Sequence, residues 1–365
     1  MTRLAAAASA ALSTAVAFGE PIDDAFAPFA GAKDIPGAVS AEMHAPDEPY
    51  FSCVGYADIA ARRPMSPDTL FWIASNTKGV AAALFLTFLD EGKVSLSDPV
   101  EKYLPEFAGV RVADKSAPGG LRPPKTKPTL RHVLSHTSGL PFFPKMPIDQ
   151  WPMRLLASKA AKTPLLHDPG AKYKYSNWGI DVAMAVVETI GGKTWDVLLQ
   201  ERILGPLGMK DTTFFPTDEQ MSRLATPYIF GKDGMKASTV DQFQYPYSLH
   251  TRYPEAGGGL FSTPRDMIRF FGMVASRGIA PSGERILSEA AVDEWLRKQT
   301  PDGVKNLYSF GMVTDGSALS HGGAYSTYGE ANVSNGWAKL FFVQMRGGNS
   351  RTKALRKAWD GATKR

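Results

Sequence analysis

The sequence predicts an α/β (α+β) fold in which both chain ends contribute to one β-sheet and a helical lobe is inserted between them. Residues 35–60 form two β-type runs around a polar turn, and residues 129–225 carry helical patterns. Strand-like runs then return near the chain end, followed by a basic stretch that predicts a closing helix. We therefore expect one domain over residues 26–365, with an α/β lobe at about 26–112 and 240–365 and the helical lobe at about 113–239.

The first elements follow from local signals. The polar turn between the two β-runs lies at residues 44–48, and Cys53 in the second run is expected to be a small buried core residue. A helix is predicted from Ser75 to Glu91, because Gly92 follows where a left-handed cap is favoured. The Pro-, Gly- and Lys-rich residues 113–128 predict a surface loop at the lobe boundary.

Three later helices have clear boundary signals. Thr129 is a predicted N-cap for a helix that stops by Gly139, and an apolar helical run ends at Gly191 and Gly192. The stretch "STPRDMIRF" begins another helix, because Thr263 is followed by a proline at the first turn and an aspartate three residues after the cap.

The N-terminal residues favour export. Residues 1–19 contain one arginine, an apolar stretch of 15 residues from Leu4 to Phe18, and Ala15-Val16-Ala17 before a polar region. This stretch is shorter than the roughly 20 residues that span a bilayer, and the order matches a secretory signal peptide. We expect an exported protein, periplasmic or extracellular, without a stable membrane anchor. The alternative is an Ala-rich helix at the end of a cytosolic protein.

Composition excludes some functions. The 41 Lys and Arg residues exceed the 36 Asp and Glu residues by only 5, and no RRM or zinc-finger signature is present, so no nucleic-acid partner is expected. With one cysteine in the chain, no intrachain disulfide can form.

The stretch "IASNTKGVAAALF" places Ser75 and Lys78 three residues apart at a helix start. Residues at this spacing share a helix face, so the Lys78 amine can reach the Ser75 hydroxyl. Free backbone N–H groups at a helix start also favour an anion developing at Ser75. The spacing alone decides little, since it recurs at Ser350 and Lys353, and the pair can equally be a helix cap with a solvated lysine.

Two further motifs favour the catalytic interpretation. "KYSNWG" contains Tyr175-Ser176-Asn177, the one Tyr-x-Asn of the sequence, and "SHGGAYSTYG" contains His321-Gly322-Gly323, the one His-x-Gly. Ser-x-x-Lys, Tyr-x-Asn and a basic residue-x-Gly, in this order, resemble the serine β-lactamase and penicillin-binding-protein superfamily.

The resemblance is to the class C β-lactamase-related branch, which includes esterases and D-amino-acid peptidases. It extends over about residues 35–347, through segments such as "SPDTLFWIASNTK", "LRHVLSHTSGL", "ILGPLGMKDTTF" and "GGGLFSTPRDMIRF". The resemblance implies a β-lactamase/transpeptidase-like fold, with an antiparallel sheet flanked by helices and an inserted all-helical lobe.

The resemblance also implies roles for individual residues. Ser75 would be the nucleophile that forms an acyl-enzyme, Lys78 would help to deprotonate it, and Tyr175 would pass protons to the leaving group and activate water. Asn177 would bind substrate and orient Lys78, and His321 would line the pocket. The N–H groups of Ser75 and Ala324, just after Gly323, would form the oxyanion hole. No metal and no cofactor are implied.

The third motif departs from the lactamase form, Lys-Thr-Gly, whose ammonium and hydroxyl contact a substrate carboxylate. His321 is expected to be only partly charged at pH 7, and Gly322 has no hydroxyl. Uncharged esters lose nothing by this change. We therefore expect a serine hydrolase for small-molecule esters. The alternatives are a D-amino-acid amidase or weak β-lactamase, and a non-catalytic member that binds peptidoglycan-like peptides or a partner protein.

Other motifs are weaker candidates. Lys232-Asp233-Gly234 fits Lys-x-Gly but has the character of an exposed turn. His132 and His136 have the spacing of zinc-protease ligands, yet the glutamate of that motif is replaced by Val133, so a structural role is favoured. His-Gly-Gly also occurs in α/β-hydrolases, but the Gly-x-Ser-x-Gly that should accompany it is missing from the sequence.

Overall fold

The computed structural model describes residues 20–29, 35–142, 149–240, 242–243, 247–248, 251–347 and 350–363. In chain order its α-helices are α1 (Glu20–Phe26), α2 (Thr77–Asp90), α3 (Leu130–Leu134), α4 (Met153–Lys162), α5 (Asn177–Gly191), α6 (Trp195–Leu199), α7 (Asp218–Ser222), α8 (Pro264–Ala275), α9 (Glu289–Leu296) and α10 (Ser350–Ala362). The predicted signal peptide, residues 1–19, lies outside the described residues.

The strands divide between the two ends of the chain and its middle. They are β1 (Gly37–His44), β2 (Tyr50–Asp58), β3 (Arg63–Pro64), β4 (Phe71–Trp72), β5 (Val112–Ala113), β6 (Leu121–Arg122), β7 (Tyr228–Gly231), β8 (Gly234–Ala237), β9 (Phe261–Ser262), β10 (Val313–Thr314), β11 (Ala318–Gly322), β12 (Thr327–Asn332) and β13 (Trp337–Phe342).

A seven-stranded antiparallel sheet forms the centre of the α/β part, in the order β10-β11-β12-β13-β1-β2-β3. The late strand β13 lies directly beside the early strand β1, with Val39 opposite Phe342. This pairing confirms the predicted sheet made from both chain ends, and with the flanking helices it confirms the predicted fold class.

Helices cover both faces of the sheet. On one face α8 approaches closely because β12 carries Gly329, where a Cβ atom would collide with the ring of Phe271. On the other face α10 places Trp359 against Phe341, with ring centroids 5.0 Å apart, and the indole N–H donates to the Ser40 hydroxyl at 2.8 Å. The central strands of the sheet are therefore covered on both sides.

The middle of the chain carries the helices α3 to α7, but it also contains the short strand β6 and the β7–β8 hairpin. Lys232-Asp233-Gly234 spans the turn of this hairpin, as its composition predicts. Helix α2 is buried all round from Thr77 to Phe88, which suits a run with almost no polar residues. Of the described helices, none is long and apolar enough to cross a bilayer.

The predicted burial of Cys53 is wrong, because its side chain is exposed. Cys53 lies on β2, whose outer neighbour β3 has only two residues. That short partner pairs near Tyr56 and Asp58, so the earlier part of β2 has an open edge.

Candidate active site

Ser75 lies in a strained turn that precedes α2. Residues Ala74–Asn76 form one 3₁₀ turn, and the α-helix begins at Thr77, two residues after the predicted start. Ala74 has a φ of 47°, a left-handed conformation that costs a non-glycine residue about 1–3 kcal/mol. The Thr77 hydroxyl holds the turn by donating to the Ala74 carbonyl at 2.7 Å and accepting from the Leu260 N–H at 3.2 Å. The turn leaves Ser75 partly exposed beside the buried helix.

Lys78 is fully buried, so the interpretation of this residue as a solvated lysine is wrong. Its Nζ lies 3.2 Å from the Ser75 Oγ and donates to the Gly257 carbonyl oxygen. The same nitrogen lies 4.7 Å from the centre of the Tyr175 ring. The geometry thus brings Ser75, Lys78 and Tyr175 together, at a distance that allows proton transfer between the first two.

Tyr175 and Asn177 are placed by the start of α5. Ser176 is the N-cap of this helix, since its hydroxyl accepts from the Gly179 N–H at 3.2 Å. The Asn177 side chain is buried and packs against the Gly257 backbone, where a Cβ atom would lie 2.6 Å from its Cγ. Its amide oxygen has no hydrogen-bond partner in the described part of the chain, so the group that orients Lys78 here is the Gly257 carbonyl.

The third motif lies at the end of β11, next to the Ser75 turn. A Cβ atom on Gly323 would lie 2.6 Å from the Ile73 carbonyl oxygen and 3.3 Å from the Ala74 Cβ, so glycine permits this approach. Thr327 joins the two segments by donating to the Ile73 carbonyl at 3.1 Å. Ala324 follows in the exposed turn after β11.

His321 takes part in a row of three hydrogen-bonded side chains, His136, Tyr308 and His321. The Tyr308 hydroxyl lies 3.1 Å from the His136 Nε2 and 3.0 Å from the His321 Nε2. The hydrogen bonds of the two Nδ1 atoms determine which ring nitrogens are protonated. The His136 Nδ1 accepts from the Ser176 N–H, and the His321 Nδ1–H donates to the Gly322 carbonyl. It follows that His136 Nε2–H donates to Tyr308, whose O–H donates to the His321 Nε2.

Both histidines in this row are neutral. Burial, with the nearby Lys78 charge, lowers the pKa of His321 to about 3 and holds the pKa of His136 well below its usual value. Burial also holds the pKa of Tyr308 well above its usual value. The expectation of a partly charged His321 at pH 7 is therefore corrected: the third motif presents no cation.

The Tyr175 ring is surrounded by other aromatic rings. Its centroid lies 4.5 Å from that of His136 and 6.1 Å from that of His321. Phe142 lies on its outer side, at 6.0 Å and an interplanar angle of 22°, with half of its side chain exposed. Phe142 thus offers an apolar surface beside Tyr175.

The weaker candidates lie elsewhere or have structural roles. Ser350 and Lys353 are on α10, the helix that packs on the outer face of the sheet. His132 accepts from the Thr129 N–H at 3.2 Å and completes the cap of α3, which confirms its structural interpretation. His136 turns the chain with a φ of 59°, but it also contacts Tyr175, so it belongs to the site as well.

Sequence reasoning missed Gly257 and His136 as parts of this site, and it singled out Tyr308 only as one of several aromatic residues that could line an apolar pocket. Gly257 belongs to the quoted "GGGLFST" segment, and its glycines were a signal for close backbone approach. Tyr308 and His136 carry no local signal, because they meet only through the fold.

The chain is similar to known proteins over most of its length. The Beta-lactamase family model matches residues 22–363. The D-alanyl-D-alanine-carboxypeptidase/endopeptidase AmpH of Escherichia coli is 32% identical over 209 residues, which are 56% of this chain and 48% of AmpH. Esterase EstB of Burkholderia gladioli is 29% identical over 249 residues, 60% of each chain.

The fold also matches that of solved structures. Simvastatin synthase (LovD) from Aspergillus terreus superimposes with a TM-score of 0.79 at 23% identity, covering 94% of this chain and 98% of that one. The chain spans about half to three-fifths of the length of the curated relatives it matches.

Proposed function

Because the chain belongs to the Beta-lactamase family, we propose that it is a serine hydrolase that forms an acyl-enzyme at Ser75 and hydrolyses carboxylic esters of small molecules. The observation that carries this proposal is the 3.2 Å contact between the Ser75 hydroxyl and the fully buried Lys78 amine. A buried amine can lose its proton and act as a base, which a solvated lysine at neutral pH does not do.

In the proposed reaction the Ser75 Oγ attacks the ester carbonyl carbon while its proton passes to Lys78. The N–H groups of Ser75 and Ala324 stabilise the oxyanion, and the alcohol leaves with a proton delivered through Tyr175. A water molecule then attacks the acyl-enzyme, giving its proton to the Lys78–Tyr175 pair, and the carboxylic acid is released with Ser75 restored.

The third motif supports esters over substrates with a carboxylate. The neutral His321 already uses both ring nitrogens in hydrogen bonds, and Gly322 has no side chain to donate. A free carboxylate therefore finds neither an ammonium nor a hydroxyl at this motif. The half-exposed Phe142 ring beside Tyr175 suits an apolar acyl or alcohol group. The identity to EstB adds an esterase precedent.

A second candidate is D-amino-acid peptidase activity, favoured by the 32% identity to AmpH. In that case a substrate with a free terminal carboxylate is preferred over its uncharged ester. Both candidates use Ser75 as the nucleophile. They differ only in whether the third motif accepts a substrate with a free carboxylate.

The test compares hydrolysis of a short-chain chromogenic ester, a chromogenic cephalosporin and a D-Ala-D-Ala peptide by the purified protein. Ser75→Ala is the negative variant, and Ser350→Ala, from the other Ser-x-x-Lys, is its matched control. We expect ester turnover that Ser75→Ala abolishes and Ser350→Ala leaves unchanged. Faster turnover of the cephalosporin or the peptide would contradict the argument from the third motif. Rates equal to Ser75→Ala on all three substrates would favour a binding protein.

A further inference from the structure

We propose that Glu255 and Asp181 are positioning residues for Lys78: they hold the Gly257 carbonyl against its amine and supply the negative charge that balances it. This inference rests on the proposed function, because it assigns these two acids to the base of that reaction. Neither acid belongs to the three sequence motifs.

Glu255 holds the backbone N–H of Gly257, the residue whose carbonyl contacts Lys78. Its Oε1 accepts from the Gly257 N–H at 2.9 Å, while the carbonyl of the same residue accepts from the Lys78 Nζ. A Cβ atom on Gly257 would collide with this Oε1, so only glycine lets the carboxyl come so close. Glu255 and Lys78 thus act on the two ends of one residue.

Asp181 holds the neighbouring peptide from α5. It lies one helical turn after Asn177, and its Oδ1 accepts from the Ala256 N–H at 3.1 Å. Movement of the Ala256–Gly257 backbone would therefore break contacts to both acids and to Lys78. The two carboxyls together fix the direction of the carbonyl that receives the amine.

Both acids are buried, with 1% of Glu255 and none of Asp181 exposed. Their remaining oxygens, Glu255 Oε2 and Asp181 Oδ2, have no hydrogen-bond partner among the described residues. Burial raises the pKa of both carboxyls, and their mutual repulsion raises that of Asp181 further, while the Lys78 charge opposes the rise in both. Both acids are therefore coupled to Lys78 electrostatically as well as through the Ala256–Gly257 backbone.

The other titratable groups around Lys78 do not supply this charge. His136 and His321 are neutral, and the phenol of Tyr308 keeps its proton. Asp149, which acts on Glu255, is paired with the buried Arg252 at 2.6 Å. Tyr175 faces Lys78 with its ring. Of these groups, the acid pair is therefore the one that can stabilise the Lys78 ammonium by negative charge. It lies next to the Ala256–Gly257 backbone that contacts the amine.

The interaction between these acids and Lys78 affects the pH dependence of the reaction. Lys78 must be neutral to accept the Ser75 proton, so kcat/KM falls at low pH where the amine is charged. Removing the nearby negative charge destabilises the ammonium, and the amine then loses its proton at lower pH. The acidic limb of the kcat/KM profile should move to lower pH by about one unit or more.

The experiment measures this profile for the full chain and for Glu255→Gln, Asp181→Asn and the double variant. Glutamine keeps an acceptor for the Gly257 N–H and removes only the charge. Glu188→Gln is the matched control, since Glu188 lies on α5 two turns beyond Asp181 and accepts from the Trp195 N–H instead. Far-UV circular dichroism and Tm report folding, and the two single variants test the pair independently.

We expect the limb to shift in both single variants and to stay in place in Glu188→Gln. Profiles that superimpose on the wild type would overturn the proposal, and so would an equal loss of activity at every pH, which indicates a structural role only. NMR titration of [ε-¹³C]lysine-labelled protein follows Lys78 directly and needs no turnover. An unshifted Lys78 titration in Glu255→Gln refutes this inference, whereas a wild type without Ser75-dependent turnover refutes the proposed function instead.

Discussion

Two buried polar clusters lie next to Lys78 and Tyr175: a row of two histidines and a tyrosine, and a pair of acids. They differ in how their buried polar atoms are hydrogen-bonded and in how burial affects their ionisation. In the His–Tyr–His row (His136, Tyr308 and His321) every ring nitrogen has a partner and the row is uncharged. In the acid pair (Asp181 and Glu255) each carboxyl has one oxygen without a hydrogen-bond partner among the described residues, and burial raises the pKa of both. The row holds its side chains in place without charge, whereas the acid pair interacts electrostatically with the Lys78 amine.

Burial lowers the pKa of the two histidines and raises that of the two acids, because in each case it disfavours the charged form. The clusters should therefore respond to pH with opposite signs. This difference between the two clusters can be tested by four sets of substitutions, of which the first is at Lys78, the residue that both clusters face.

Lys78→Met should have the largest effect. We expect kcat/KM for the chromogenic ester to fall by roughly 100- to 10,000-fold, the range for losing a positioned proton-transfer group. The acid pair also loses its cation, so the free energy of unfolding at pH 8 should fall. Lys353→Met, from the other Ser-x-x-Lys, is the control and should change neither quantity. Full activity of Lys78→Met would show that Lys78 is not the base and that neither cluster affects catalysis through it.

The second prediction concerns stability against pH. The folded-state pKa of His321, about 3, lies below its unfolded value near 6.5, so its stabilising contribution is present above pH 6.5 and is lost as the pH falls. Glu255 has a raised pKa, so its contribution is present below its unfolded pKa and is lost as the pH rises. His321→Gln should flatten the loss on acidification by about 1.4 kcal/mol per pH unit, and Glu255→Gln should flatten the loss toward alkaline pH.

Chemical denaturation between pH 5 and pH 8 measures both slopes. His44→Gln serves as the control, because this histidine is solvent-exposed. Slope changes of the same sign in His321→Gln and Glu255→Gln would contradict the contrast between the clusters.

Tyr308→Phe should destabilise the protein without moving the pH profile of catalysis. The change leaves the His136 Nε2–H and the His321 Nε2 buried without their partner, at a cost of about 1–3 kcal/mol in unfolding free energy. The acid pair is untouched, so the acidic limb of kcat/KM should stay in place. Tyr173→Phe is the matched control, since Tyr173 packs on Tyr308 with ring centroids 5.5 Å apart. A shifted limb in Tyr308→Phe would show that the row also carries charge.

Ser176→Ala should have the smallest effect. Ser176 links the clusters, because its N–H donates to His136 and the next residue, Asn177, packs against Gly257. The backbone contacts survive the change, but the cap and the hydrogen bond from the Ser176 hydroxyl to the Pro141 carbonyl at 2.7 Å are lost, at about 1–2 kcal/mol in unfolding free energy. Ser288→Ala removes the equivalent cap of α9 and should cost a similar amount. If Ser176→Ala abolished activity, the hydroxyl would have a role beyond capping.

Local signals in the sequence predicted much of this molecule. Ser75 and Lys78 are three residues apart, so helix geometry alone brings them together. Thr263 caps α8 by accepting from the Asp266 N–H at 3.2 Å, as the residue types predict. Gly92 and Gly192 take the left-handed conformation at helix ends, where a glycine pays no Cβ penalty.

The parts that could not be predicted depend on long-range contacts. His136 and Tyr308 are 172 residues apart and meet only when the segment before β10 lies beside the end of α3, where the Gly311 N–H donates to the Leu134 carbonyl at 3.1 Å. Asp181 looks like a polar interruption of an apolar helix until the Ala256 N–H is placed against it. Cys53 lies in an apolar run, yet a two-residue neighbour leaves its strand open. Residue spacing contains no information about such partners.

The pairing of β1 with β13 also has a consequence for biosynthesis. Ser40 on β1 donates to the carbonyl of Leu340, a residue made 300 positions later. While the ribosome is still translating the intervening segment, the β1–β2 hairpin exposes an unpaired edge that invites aggregation. The sheet closes only when β13 emerges, so a nascent chain that has already made Ser75 and Lys78 still lacks the β11–β12 segment that completes their surroundings.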